Sequence, residues 1–234
     1  MTAFALVHGA WHGAWCWEAL SEELKQRGHT WVVPELPATD VHAGASAYAD
    51  CIVRELENVA EPIALVGHSL AGLTIPLVAS KGPVHHLVFL CALLPHFGLS
   101  LREQQAVLSP MSSEFRAASN RQKRHPDGST SWPPELAREL FFHDCPDEVA
   151  DAAVRQLRPQ AATVASETTP VGSIPNVPTA YILCADDRVV SPVWSRSAAK
   201  ERLGVEAFEL PGGHSPFISR PTVLADLLCS ITAT

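Results

Sequence analysis

Short apolar runs rich in Val, Leu and Ile recur along this chain, each followed by a longer segment of helical period. Strands that are apolar at consecutive positions are buried on both faces, and intervening helices return the chain to the same edge. The alternation therefore specifies βα units around a mostly parallel sheet flanked by helices, an α/β fold. Strands are expected at 3–7, 30–33, 62–66, 86–91, 179–184 and 205–210, and helices at 14–27, 46–59, 70–80, 192–203 and 222–231.

The alternation breaks between 97 and 178. These 82 residues separate two strands that should be near neighbours, and they hold nine of the 19 prolines. So long a connection in a compact domain is usually a lid or an inserted unit. The expected division is a core of 1–96 and 179–234 and an inserted helical cap of 97–178. Within it, PPELARELFF and PDEVADAAVRQLR read as helices, the second opened by Asp144 or Cys145 as N-cap with Pro146 in its first turn. Residues 109–131 are polar and poorly periodic. RQKRHPDGS within them reads most simply as a solvated loop rather than an anion site.

Composition narrows the partners. Lys plus Arg number 17 and Asp plus Glu 25, a formal charge of −8 over 234 residues, which argues against nucleic acid or anionic lipid as a partner. No apolar run reaches the ~18 residues of a membrane span, and MTAFALVHGAW lacks the basic start of a signal peptide, so a cytoplasmic protein is expected. The six cysteines form no CxxC pair and are expected to be free. No grouping has metal-ligand spacing, and there is no G-x-G-x-x-G or P-loop; neither metal nor cofactor is expected.

The sharpest local pattern is PIALVGHSLAGL, in which a strand runs into Gly67-His68-Ser69-Leu70-Ala71 and a helix follows at once. A serine in a strained strand-to-helix turn needs small residues two before and two after it, and Ala71 meets this where glycine is usual. A serine hydroxyl needs a base, and the base an orienting carboxylate. In this fold class they follow in the order Ser, acid, His. TAYILCADDRVVSP ends a strand with Asp186 and Asp187, and VEAFELPGGHSPF ends the last with His214. Asp187 is preferred to Asp186 by its spacing to Pro192. Among the other histidines, His8 is expected to hold its loop rather than transfer protons. LVHGAWHGAW places a glycine after the first strand, so the oxyanion donors are assigned to the backbone N–H groups of Ala10 and Leu70.

The strings LVHGAWHGAWCW, LVGHSLAG, CPDEVADAAVRQLRP, ILCADD and LPGGHSP resemble the α/β-hydrolases of the plant methylesterase (salicylate-binding esterase) and hydroxynitrile lyase group and their bacterial relatives. The resemblance implies a Ser69–Asp187–His214 triad, a helical cap over the pocket and cofactor-free ester chemistry. The lyases of that group carry threonine where this chain has Gly9 and lysine where it has Ser215, which favours the esterase branch. The methionine usual in those esterases is also replaced by Ser215. The expected activity is a serine carboxylesterase acting on a small aromatic or apolar ester. Trp11, Phe97, Trp132 and Phe141 are candidates for the apolar wall, and a homodimer is a candidate assembly. Alternatives on the same triad are hydroxynitrile lyase-like chemistry and C–C, lactone or thioester cleavage. From another class, the alternative is a hydrolase-derived receptor that binds a small ligand without turnover.

Overall fold

The computed structural model describes residues 1–233. Among them are eight strands: β1 (Ala3–Val7), β2 (Thr30–Val32), β3 (Ile63–His68), β4 (Val84–Leu90), β5 (Lys123–Arg124), β6 (Thr130–Ser131), β7 (Thr179–Cys184) and β8 (Phe208–Leu210). Six pair in parallel in the order β2-β1-β3-β4-β7-β8, while β5 and β6 form a separate antiparallel hairpin. The helices are α1 (Glu18–Gln26), α2 (Ala45–Leu56), α3 (Ile75–Lys81), α4 (Leu101–Leu108), α5 (Ser113–Ala118), α6 (Pro134–Phe141), α7 (Asp147–Gln156), α8 (Thr163–Ser166), α9 (Pro192–Ala198), α10 (Pro216–Ser219) and α11 (Pro221–Thr232).

Side chains alternate across each strand, so one strand feeds two cores. From β1, Phe4 and Leu6 pack with Trp17, Leu20, Phe217 and Leu224 on the face covered by α1, α10 and α11. Ala5 and Val7 join Ile52, Val78, Phe89 and Tyr181 on the other face. The register then aligns the carboxyl ends of the strands. Val7 pairs with Gly67, His68 with Leu90, Leu90 with Ile182, and Cys184 with Leu210. The loops leaving β1, β3, β7 and β8 are thereby gathered at one edge, where open α/β sheets place their sites.

Several elements differ from expectation. Residues 70–80 split into a 3-10 turn, Ser69–Leu73, and α3, which restarts with Pro76 in its first turn. Proline has no N–H to continue a helical ladder from Gly72. The last strand covers only Phe208–Leu210, at the edge of the sheet with Phe208 exposed. In 97–178 the sequence reading lacks α4, α5 and the β5–β6 hairpin. RQKRHPDGS is not a plain loop: it carries β5 and the tight turn, with Gly128 at φ 85°, that folds Arg124 back against Thr130. The N-cap of α7 is Pro146, with no side-chain cap hydrogen bond, rather than Asp144 or Cys145. Asp144 is instead turned toward the loop after β8, where Oδ2 accepts from the Gly213 N–H at 2.9 Å. All six cysteines are free, and no helix is long and apolar enough to cross a membrane among the described residues.

Candidate active site

Ser69 follows β3 with φ 54°, the left-handed region that L side chains rarely adopt. Close packing holds it there. A Cβ on Gly67 would lie 2.7 Å from the Ile75 side chain, and one on Gly72 would lie 2.1 Å from the Leu93 carbonyl oxygen. The Leu93 N–H donates to the Ser69 carbonyl at 3.0 Å, tying the turn to the chain beyond β4. The sequence pattern points to Ala71 as the second small residue; the tightest approach falls one position later, at Gly72.

His214 and Asp187 form a buried pair: the His214 Nδ1–H donates to Asp187 Oδ2 at 2.8 Å. Asp187 Oδ1 accepts from the Val189 and Val190 N–H groups at 2.7 and 3.1 Å, which fixes the carboxylate on its loop. Asp186 faces elsewhere, its Oδ2 accepting from the Gly212 N–H at 3.3 Å. The two glycines before His214 have no room for side chains. A Cβ on Gly212 would meet Asp144 and Arg220 at 2.5 Å, and one on Gly213 would meet His143 at 2.6 Å. Asp144, Asp186 and Arg220 thus clamp the turn that presents the imidazole.

His68 links this pair to Ser69. It directly precedes the serine, its Nε2–H donates to the His214 carbonyl at 2.9 Å, and the two rings lie 4.5 Å apart. Burial, then the neighbouring histidines, hold its pKa well below the ordinary value, so it stays neutral. His12 is neutral for the same leading reason, pushed down to about 3, and its Nδ1–H donates to the Ala10 carbonyl at 2.9 Å. Neither histidine was singled out in the sequence, because nothing there separates a buried prop from a surface imidazole.

The loop after β1 lies against the serine turn. A Cβ on Gly9 would come within 2.7 Å of Ser69 Cβ and 2.8 Å of His68 Nδ1. His8 holds this loop: Nδ1–H donates to the Gly9 carbonyl at 2.9 Å, and Nε2 accepts from the Leu36 N–H at 3.2 Å. Trp11, at φ 62°, is strained as Ser69 is. Arg158 secures it from outside. Its backbone N–H donates to the Trp11 carbonyl at 3.0 Å, its Nε to the His12 carbonyl at 2.9 Å and its Nη2 to the Leu36 carbonyl at 3.1 Å, while Glu35 pairs with the same guanidinium. A lone arginine after a helix carries no sequence pattern that would reveal this role.

A cavity of about 540 Å³ opens over Ser69, Ala10 and Leu70, within the range of small-molecule sites. Trp11, Leu93, Leu101, Met111, Phe115 and Val189 supply apolar wall. Of the four aromatic residues expected there, only Trp11 lines it. Its indole N–H donates to the Thr130 carbonyl at 3.0 Å, which sets the ring in front of Trp132 and Phe141. Those two are buried behind it, and Phe141 also packs at 6.1 Å from the His214 ring. Phe97 is 46% exposed, on the turn closed by the Leu99 N–H to the His96 carbonyl, in which Gly98 takes φ 84°.

Cys91, Asp187 and His214 offer ligand atoms within 4.8 Å of one another, a grouping that sequence spacing does not reveal. Burial, then Cys184, holds the Cys91 thiol protonated, with its pKa raised well above the ordinary value. His214 Nδ1 is committed to Asp187. A cation could enter only by displacing both protons, so the arrangement suits proton transfer better than metal binding.

Residues 4–227 match the model of the Alpha/beta hydrolase family. The chain is 30% identical over 263 residues to the rice protein "Probable esterase PIR7A" (Oryza sativa subsp. indica), an alignment covering 98% of this chain and 96% of that one. It is 26% identical to Methylesterase 17 of Arabidopsis thaliana, covering 96% and 89%. Among solved structures, a pyrethroid hydrolase from Sphingobium faniae JZ-2 superposes with a TM-score of 0.83 at 24% identity, over 100% of this chain and 98% of the other. With its parallel sheet, its serine turn and a family match spanning nearly its whole length, this chain belongs to the alpha/beta hydrolase family.

Proposed function

We propose that the protein is a serine carboxylesterase acting on a small ester through Ser69, His214 and Asp187. The observation that carries this reading is the buried His214–Asp187 hydrogen bond, tied through His68 to a serine held at φ 54° under a cavity. With Nδ1–H committed to Asp187, the Nε2 lone pair is the base. Ser69 Oγ attacks the ester carbonyl and its proton passes to Nε2. The oxyanion is held by the N–H groups of Ala10 and Leu70, each such donor being worth ~3 kcal/mol in related sites. Collapse expels the alcohol, which takes the proton back from His214. Water then attacks the acyl-enzyme by the same route, giving the acid and regenerating Ser69.

The apolar stretch of wall next to Ser69 supports an apolar group at the reacting end, and the esterase names of the relatives point the same way. We read residues 97–178 as the cap, because they supply Leu101, Met111, Phe115 and Arg124 to the cavity while 1–96 and 179–234 supply Ala10, Ser69 and Val189. Lyase chemistry is less well supported. A side chain at position 9 would press on Ser69 and His68, so the threonine hydroxyl of that branch has no place here.

Replacing Ser69 with alanine is expected to cut hydrolysis of p-nitrophenyl acetate by ~10⁴-fold or more, with an unchanged circular dichroism spectrum. Turnover retained by this variant, in a preparation free of other esterases, would overturn the proposal.

A further inference from the structure

The cavity carries a charge pattern opposite to that of the molecule. The chain has a formal charge of −8, yet two arginines, Arg102 and Arg124, line the cavity, and no Asp or Glu does. Gln105, Asn120 and Gln122 line it as well, giving the cap side a set of neutral donors beside the two guanidinium groups.

Neither arginine has a carboxylate partner among the described residues, whereas Arg27, Arg138, Arg158 and Arg196 are each held by one. The acids nearest in sequence are engaged elsewhere. Glu103 closes a capping box with Ser100, accepting its N–H at 2.7 Å and its hydroxyl at 2.6 Å. Asp127 accepts from the Ser129 N–H and hydroxyl at 2.9 and 2.7 Å. The hairpin is what brings Arg124 to the mouth, since β5 folds against β6 and Thr130 lines the same cavity. Free guanidinium groups facing a cleft without acids attract an anion, and their planar donors suit a carboxylate.

We propose that the substrate is an ester bearing a carboxylate: an apolar reacting end seated beside Trp11, Leu93 and Val189, and an anionic tail held at the mouth by Arg102 and Arg124. This rests on the esterase reading above and deepens it by naming the substrate class. The arginines are specificity residues; they touch the tail, not the reacting carbonyl.

The test compares the protein with its Arg102→Gln/Arg124→Gln double variant on matched pairs. p-Nitrophenyl hydrogen glutarate against p-nitrophenyl valerate places the anion on the acyl side. 4-Acetoxybenzoate against its methyl ester places it on the alcohol side. The double substitution is expected to lower kcat/KM for the charged member of at least one pair about tenfold, mainly through KM, and to change the neutral members less than about twofold. The pair that responds identifies the side carrying the tail. Raising the salt concentration should erode the same preference in the unsubstituted protein, because the two arginines are exposed. Equal losses on charged and neutral esters, or no loss on either, would overturn this inference while leaving the esterase reading intact. Failure to hydrolyse any of the four would instead sink the esterase reading.

Discussion

Asp186 and Asp187 are adjacent in sequence and differ in everything that matters chemically. Asp187 is buried, gives Oδ2 to His214 and keeps Oδ1 on two backbone N–H groups, so it can neither rotate nor be replaced by its neighbour. Asp186 accepts a backbone N–H from the turn before the histidine. In an Asp187→Asn variant the amide carbonyl can still take the Val189 and Val190 N–H groups, which turns the amide NH₂ toward His214 Nδ1. That geometry selects the wrong imidazole tautomer, and under the proposed mechanism kcat is expected to fall about 10³- to 10⁴-fold, the loss typical of replacing a triad acid. Asp186→Asn retains an acceptor for the Gly212 N–H and should cost less than about tenfold. Measuring both on p-nitrophenyl acetate separates the two acids; comparable losses would mean that the carboxylate beside His214 has been misassigned. The sequence favoured Asp187 through its spacing to Pro192 alone. The physical discriminator, which oxygen meets which N–H, exists only in the folded loop.

At the scale of elements, legibility follows burial. β1 and β7 have the bounds expected from the sequence, because strands apolar on both faces leave an uninterrupted apolar run. The serine turn was legible for the same reason, as a glycine pattern directly after such a run. α4, α5 and the hairpin were not, because each buries little and its order comes from contacts with other segments of 97–178. Two cues were present nonetheless: the S-x-x-E of Ser100 and Glu103, which forms a capping box, and the Asp127-Gly128 pair, a hairpin turn pattern. Arg158 had no such cue, and it joins the segment after α7 to the loop after β1. An Arg158→Ala variant keeps its backbone bond to Trp11 but loses the side-chain bonds to His12 and Leu36. The Ala10 N–H, the proposed oxyanion donor, should then lose its fixed direction, lowering kcat about 10- to 100-fold with KM little changed, below the full loss of one such donor. Steady-state kinetics alongside a melting curve would test this. A change confined to Tm would make the arginine structural only.

Across the whole molecule, the site is set over a layer of uncharged imidazoles, and this ties stability to pH. His12 and His68 are buried among Trp17, Phe141, Phe142 and Phe217, with Nε2 of the first and Nδ1 of the second lacking hydrogen-bond partners. Burial pushes His12 down to about 3 and His68 well below its ordinary value. The unfolded chain takes up protons at these rings near pH 6.5, and the folded protein does not. Stability is therefore full above pH 6.5 and is lost as the pH falls toward the folded value. Between pH 7 and pH 5 His12 alone should remove about 2 kcal/mol of unfolding free energy, with His68 acting in the same direction. Urea unfolding at the two pH values measures this. A His12→Gln variant, whose amide can still donate to the Ala10 carbonyl, should be less stable than the parent at pH 7 yet lose about 2 kcal/mol less on acidification. A parent protein equally stable at pH 7 and pH 5 would mean that these imidazoles take up protons in the folded state. The layer beneath Ser69 and His214 would then be open to water, and the low-dielectric setting that strengthens the His214–Asp187 bond and the proposed oxyanion donors would be lost with it.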